Sequence, residues 1–410
     1  MIVFVNRYFY PDQSATSQLL TDLARALAGS GFTVHVICSR QRYDDPAARL
    51  APRESINGVT VHRIWTTRFG RDRLLGRALD YASFYCSSAV AMLRLLRRGD
   101  TVIAKTDPPL ISIVAMAAAK LKGAYLVNWL QDIFPEVASL LGANPLPRPL
   151  DALLRNCRDR SLRSARVNVV LGECMRDRLL GLGIPANRIE IIENWAECSQ
   201  EAPTKASQSV LRANIALMDK FVVGYSGNLG RAHEFQTLLG AAETLKNDAE
   251  IVFLMIGGGA GMLKLSKVTA ERGLNNFLFL PYQPRENLCD SLAASDVHWV
   301  SLLPELEGLI VPSKFYGILA AARPAVFIGD PDGELARAIR MGQCGVTVAV
   351  GDVEALVGAV RHLKSDPAHR ERLGSNAYQR YCQHYSAPRA FDRWARILRP
   401  VTHVPGARAP

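Results

Sequence analysis

Short apolar runs alternate along this chain with stretches whose apolar residues recur every three or four positions, which implies buried strands joined by amphipathic helices. Residues 2–5 form the first apolar run, and residues 6–12 follow as a loop. Leu19, Leu20, Leu23, Ala24 and Leu27 then share one helical face, which Ser14 or Thr16 caps and Gly29 and Gly31 close. With residues 33–38 as the next strand, the opening is a strand–helix–strand unit. That unit predicts a parallel, doubly wound sheet with its ligand crevice at the strand C-termini. Further strands are expected at 59–64, 101–104, 124–129 and 167–171, and helices at 109–120 and 149–163. Residues 196–219 are polar, lack a sheet pattern and read as a connection. The strand programme restarts at Phe221, with apolar runs at 221–226, 251–256, 277–280, 297–303 and 325–328. The expected α/β architecture is two Rossmann-like units, residues 1–200 and 201–385. A Tyr-, Trp- and Arg-rich helix in 386–410 crosses back to the first unit, ahead of a frayed tail.

Length agrees, since 410 residues exceed one typical core. The formal charge of +11 calls for an acidic partner: a nucleotide, a nucleic acid or an anionic membrane. Nucleic acid is set aside, because the basic residues are not interleaved with aromatics on any recognised module. Residues 68–98 carry arginines around a face that includes Leu74, Leu75, Tyr81, Phe84 and Met92. That pattern suits a helix lying in a membrane interface, and equally a core helix with basic ends. Eight scattered cysteines without a C-x-x-C pair fit a reducing compartment. The N-terminus runs straight into a strand, and the longest apolar run, 109–119, is too short to span a bilayer. The expected location is the cytoplasm or the cytoplasmic side of a membrane.

Candidate chemistry concentrates in residues 304–324, PELEGLIVPSKFYGILAAARP, between an apolar strand and the next one. Glu305, Glu307, Gly308, Pro312, Ser313 and Lys314 lie on a strand–loop–helix connection, which presents N–H groups and a cation to a phosphate; the alternative is a loop of solvated charges. Asp132 ends another strand, where α/β proteins keep functional groups. The loop holding Ser14 and Thr16 is either an ordinary turn or a ligand contact. Asp330-Pro331-Asp332-Gly333 has the form of a metal-binding pair, but Pro-Asp-Gly after a strand is an ordinary turn. Gly257–Gly259 lacks a following Lys-Ser/Thr and reads as a turn rather than a phosphate loop. The eight histidines show no metal-ligand spacing.

Tyr8-Phe9-Tyr10-Pro11-Asp12, Gln131-Asp132-Ile133-Phe134-Pro135-Glu136, Gly227-Asn228-Leu229-Gly230 and Pro312-Ser313-Lys314-Phe315-Tyr316-Gly317 occur in an order that resembles family 4 retaining glycosyltransferases of the GT-B fold, and within them a WbuB-like subgroup of bacterial surface polysaccharide synthesis. The resemblance implies transfer of a hexosyl or N-acetylhexosaminyl group from a nucleotide diphosphate sugar, UDP-linked, with retention and without a metal or other cofactor. It implies a lipid-linked (polyprenyl diphosphate) saccharide acceptor and an anionic membrane surface as partners. The first domain would bind the acceptor, and the second the nucleotide sugar. Lys314 and Arg231 would stabilise charge on the leaving diphosphate, with the N–H groups of Gly227, Asn228, Leu229 and Gly230 and of Pro312-Ser313 onward beside them. Glu307, next to Gly308, would hold donor hydroxyls, and Asp132 would face the acceptor across the cleft. Three positions depart from the family: Gly317 stands where many relatives carry a second glutamate, and Asn228 and His233 where they carry Arg and Lys. A GT-B epimerase or hydrolase, and a non-catalytic nucleotide-sugar-binding subunit, are the competing classes.

Overall fold

The computed structural model describes residues 1–12, 14–42, 45, 48–70, 74–142, 147–196 and 203–399. Eight strands build a first sheet: β1 (Ile2–Val5), β2 (Val34–Ser39), β3 (Arg53–Ile56), β4 (Val59–Ile64), β5 (Thr101–Lys105), β6 (Tyr125–Trp129), β7 (Val167–Val170) and β8 (Ile189–Ile191). Their order is β3-β4-β2-β1-β5-β6-β7-β8, parallel except for the β3–β4 hairpin. A second sheet holds β9 (Phe221–Asn228), β10 (Ile251–Gly258), β11 (Phe277–Leu280), β12 (Val297–Ser301), β13 (Ala325–Ile328) and β14 (Gly345–Val348). It is parallel throughout, in the order β11-β10-β9-β12-β13-β14. In each sheet the order reverses beside the first strand, β1 or β9, which places a crevice at the strand C-termini there.

Helices cover both faces because the strands are apolar on both. β1 is buried at all four positions and β13 likewise. The crossover helix Ala15–Gly29 turns Leu19, Leu20, Leu23, Ala24 and Leu27 inward. Ser14 is its N-cap residue but does not cap it with its side chain, contrary to expectation. The Ser14 hydroxyl instead donates to Asp12 Oδ1 at 2.5 Å, because that carboxylate also takes the Ser14 N–H and holds the turn closed.

The helix Ala387–Leu398 packs on the first sheet, with Trp394 fully buried. Trp394 meets Trp129 edge-on at 4.9 Å, Trp129 stacks with Trp195 at 5.9 Å, and Phe391 closes on Trp195 at 5.3 Å. Such pairs contribute about 0.5–1.5 kcal/mol each beyond their burial. Arg393 adds ion pairs to Glu193 (3.0 Å) and Glu190 (3.4 Å).

The helix Leu74–Leu95 corrects the interfacial expectation in part. Phe84 and Met92 are fully buried against Val3, Val5 and Ile37, so neither is free to enter a membrane. The opposite face exposes Leu75 and Leu79, at 81% and 52%. Arg71 and Arg73, and the side chain of Leu74, lie outside the described residues.

Candidate active site

The C-terminal ends of β9 and β10 are glycines that touch. A Cβ on Gly257 would lie 2.2 Å from the Gly227 carbonyl oxygen, and one on Gly259 2.1 Å from Asn228 Oδ1. Both positions have positive φ, so close approach and backbone conformation each require glycine. Leu229 N–H donates to the Gly258 carbonyl at 2.8 Å, which ties the two turns together. That N–H is therefore not free for a phosphate, and the Leu229 side chain is buried, correcting the expectation for this residue.

Lys314 lies across Gly227: a Cβ there would come within 2.8 Å of Lys314 Cε. Lys314 opens the helix Lys314–Ala320, which has seven residues and Ser313 as its N-cap residue. This helix is short, and its Phe315 N–H already donates to the Pro312 carbonyl at 3.3 Å. The positive charge of Lys314 is the stronger feature. Its Nζ stands 3.4 Å from His233 Nε2 and 5.4 Å from the Tyr225 ring centre. His233 Nδ1 is 2.7 Å from the Ser301 carbonyl, which only accepts, so the imidazole proton sits on Nδ1 and Nε2 faces the ammonium as an acceptor. Burial and the Lys314 charge push the His233 pKa down to about 3, so the ring is neutral. Burial alone lowers Lys314 to about 8. Among the described residues no carboxylate forms an ion pair with Lys314 or Arg231. Arg231 is exposed in the turn after Gly230.

Glu307 is engaged at a neighbouring helix. Its Oε1 accepts the Glu334 N–H at 2.9 Å, at the start of the helix Glu334–Gly342. Glycine at 333 leaves room for that carboxylate, since a Cβ there would lie 2.4 Å from Glu307 Oε2. Asp330 to Gly333 form a turn, with Asp332 N–H donating to Asp330 Oδ1 at 2.9 Å. Glu334 Oε2 in turn accepts the Cys174 N–H of the first domain at 2.8 Å. Burial and the neighbouring carboxylates Glu334 and Asp330 raise the Glu307 pKa. Gly308, at φ +73°, lies against the Cys174 carbonyl oxygen, 2.9 Å from where a Cβ would stand. Gly317, in place of a second glutamate, packs 3.4 Å from Leu292 by the same measure.

Asp132 meets this loop from the other domain. It forms an antiparallel bridge with Ile310, and Ile133 N–H donates to the Leu309 carbonyl at 2.9 Å. The carboxylate is buried, and burial with Asp107 nearby lifts its pKa to about 6, against the pull of Lys105. Lys105 ends β5 fully buried, donates to the Thr16 carbonyl at 2.8 Å and lies 3.6 Å over the Trp129 ring. Thus Asp132, Glu307, Gly308 and the loop leading to Lys314 meet between the domains. Lys314, Arg231, Gly227, Asn228 and Gly230 gather at the β9 end. Thr16 joins Asp132 only through Lys105, and Ser14 serves the turn at Asp12. Lys105, Asp107, His233 as an orienting group and Glu334 were missed in the sequence. A lone charge ending an apolar strand was the only available sign of Lys105. Among the described residues no three His, Cys, Asp or Glu side chains are grouped to hold a metal ion.

Residues 15–195 match the family described as glycosyl transferase 4-like domain, and residues 208–380 match glycosyl transferases group 1. The chain is 27% identical over 376 residues to the putative colanic acid biosynthesis glycosyl transferase WcaI of Escherichia coli (strain K12), covering 88% of this chain and 91% of that one. Sucrose-phosphate synthase from Thermosynechococcus elongatus superposes with a TM-score of 0.77 at 15% identity over 97% of each chain. Anabaena Alr3699/HepE in complex with UDP-glucose does so at 0.70, with 16% identity over 97% of this chain and 98% of that one. The two facing sheets are those of the GT-B fold. With one family covering the first sheet from β2 to β8 and the other covering the second, the chain belongs to the glycosyltransferases that join a 4-like domain to a group 1 domain.

Proposed function

We propose that this glycosyltransferase moves a hexosyl or N-acetylhexosaminyl group from a UDP-linked donor, with retention, to a lipid-linked saccharide on polyprenyl diphosphate. The setting is surface polysaccharide synthesis at the cytoplasmic face of the plasma membrane. The observation that carries the reading is the cation at Lys314, half-buried beside the glycine turn of β9, where among the described residues its neighbours are a neutral imidazole and an aromatic ring and no carboxylate pairs with it. A buried charge without a counterion is costly, and a bound diphosphate removes that cost. Charge grows on the diphosphate as the glycosidic bond breaks, so Lys314 and Arg231 stabilise the transition state more than the ground state and need no metal to do so. The Glu307 carboxylate, next to Gly308 and Pro312-Ser313, would hold donor hydroxyls, while Asp132 would face the acceptor from the first domain. The UDP-glucose held by the HepE structure and the role named for the E. coli relative support the donor and pathway class. No helix among the described residues is long and apolar enough to cross a membrane, which suits peripheral attachment through the exposed Leu75–Leu79 face.

The test is incubation of the purified protein with UDP-sugars, a polyprenyl diphosphate saccharide and EDTA. The product is read by mass and by the NMR coupling at the new anomeric centre. Transfer with the donor's anomeric configuration is expected. Inversion contradicts retention, and loss of activity with EDTA contradicts metal independence. Turnover of donor alone, to free sugar or an isomer, identifies an epimerase or hydrolase instead.

A further inference from the structure

A cavity of about 590 Å³ opens where β2 and β4 end, away from the glycine turns of the second sheet. Arg40, Arg49, Trp65, Arg68 and Phe69 supply its chemistry. Arg40 gives its Nε to the Arg63 carbonyl at 3.3 Å, and neither Arg49 nor Arg68 forms an ion pair among the described residues. Trp65 and Phe69 are 62% and 63% exposed. Two exposed aromatics beside guanidinium groups that carry no ion pair among the described residues suit an anion attached to an apolar group.

The wall that carries them is built from inside. Asp80, 1% exposed, accepts Thr67 Oγ1 at 2.7 Å, Phe69 N–H at 3.0 Å and Gly70 N–H at 3.2 Å. Buried Arg7 reaches the same carboxylate at 3.4 Å, and Gln41 Nε2 donates to the Thr67 carbonyl at 2.7 Å. Phe69 sits directly over Gly76, where a Cβ would lie 2.8 Å from Phe69 Cβ. Phe69 therefore joins Leu75 and Leu79, one helical turn apart, in an exposed apolar ridge beside the arginines. A cluster of arginines edged by an apolar ridge whose backbone Asp80 holds fits a phosphorylated lipid better than a free anion.

We infer that this cavity is the subsite for the diphosphate of a polyprenyl-linked acceptor, with Arg40, Arg49 and Arg68 on the phosphates and Phe69, Leu75 and Leu79 along the first isoprene units. The inference rests on the lipid-linked acceptor proposed above. β4 stands four strand spacings from β6, roughly 19 Å at about 4.8 Å each, which a short saccharide joined to the diphosphate spans on its way to Asp132. The chain approaches the reaction from the first domain while the nucleotide sugar occupies the second.

The experiment is co-sedimentation with phosphatidylcholine vesicles carrying polyprenyl diphosphate, compared with vesicles carrying phosphatidylglycerol at matched surface charge, at physiological ionic strength. UDP binding is measured in parallel. The polyprenyl diphosphate vesicles should retain the protein at least about tenfold better. Arg49→Gln/Arg68→Gln should lower that retention by about 10- to 100-fold, the loss of two charged hydrogen-bond donors, with UDP affinity unchanged. Phe69→Ser should weaken retention without altering competition by inorganic diphosphate. Equal retention on phosphatidylglycerol, or full retention of the double-arginine variant, overturns the inference and reduces the patch to general membrane attraction. Failure of the wild-type protein to bind UDP would instead overturn the donor reading, so the two failures are distinguishable.

Discussion

Lys105 and Lys314 stand at comparable places in the two sheets and are satisfied in opposite ways. Each lies where strands end at the cleft, and burial depresses the pKa of each. Lys105 has a backbone acceptor at 2.8 Å, an aromatic face at 3.6 Å, and the carboxylates of Asp107 and Asp132 in its field. Lys314 has a neutral histidine and an aromatic ring, and among the described residues no carboxylate pairs with it. One charge is compensated within the protein and acts as structure and as a tuner of Asp132. The other, on the proposed reading, is left for a ligand to compensate. What separates the two roles is the surrounding inventory of anions, not residue type; Lys314 is also the more open of the two to solvent.

The largest effect should come from removing the uncompensated charge. Lys314→Ala should lower kcat by about 10²–10³-fold, the typical loss of one group that stabilises developing charge. Steady-state kinetics on the folded variant measure this, and near-wild-type turnover would erase the contrast with Lys105.

Lys105 should act through Asp132. Asp132 sits at about 6, above its ordinary 3.8, and Lys105 is the charge that holds it down. With the carboxylate as the active form, activity rises as pH passes through about 6, and Lys105→Met should move that limb upward. At pH 6 the variant should be about three- to tenfold slower, with the gap closing by pH 8. A pH–rate profile with an unmoved acid limb would make Lys105 purely structural.

The smallest effect is on stability, and its sign is informative. Lys314 titrates at about 8 in the folded chain and near the ordinary 10.5 when unfolded. Below pH 8 both states are protonated, so the full penalty of burying the charge is present. As pH rises from about 8 to 10.5 the folded state loses its proton first, and the penalty fades. Lys314→Met should therefore be more stable by about 1 kcal/mol at pH 7 without ligand, discounted for partial solvent contact, and the difference should shrink above pH 8. Denaturant titrations at both pH values read it.

Much of this arrangement was legible in the sequence, for physical reasons that differ between fold and site. The apolar runs at 2–5 and 325–328 coincide with β1 and β13, because doubly covered strands must be apolar, while 277–280 falls on the edge strand β11 and 59–64 on β4, where buried and half-buried positions alternate. β3 went unseen because Arg53-Glu54-Ser55 is polar, as an exposed edge allows, although Asn57-Gly58, both at positive φ, was a hairpin signal. At the site, Lys314 stood out through Pro-Ser-Lys before a helix. The capture of Leu229 N–H by Gly258, the aim of His233 and the compensation of Lys105 depend on partners tens of residues away, and no local pattern encodes them. Phe84 was misjudged for the same reason: a helix with basic ends has two faces, and only packing decides which is inside.

The central claim is that Lys314 is a cation waiting for a diphosphate, and proton uptake on UDP binding tests it most directly. Binding an anion raises the Lys314 pKa from about 8, so at pH 8 to 8.5 the complex should take up a proton from solution. Calorimetry in buffers of different ionisation enthalpy should find uptake of roughly half a proton per UDP in the wild-type protein and none in Lys314→Ala. UDP binding with no proton uptake in the wild-type protein would contradict the account.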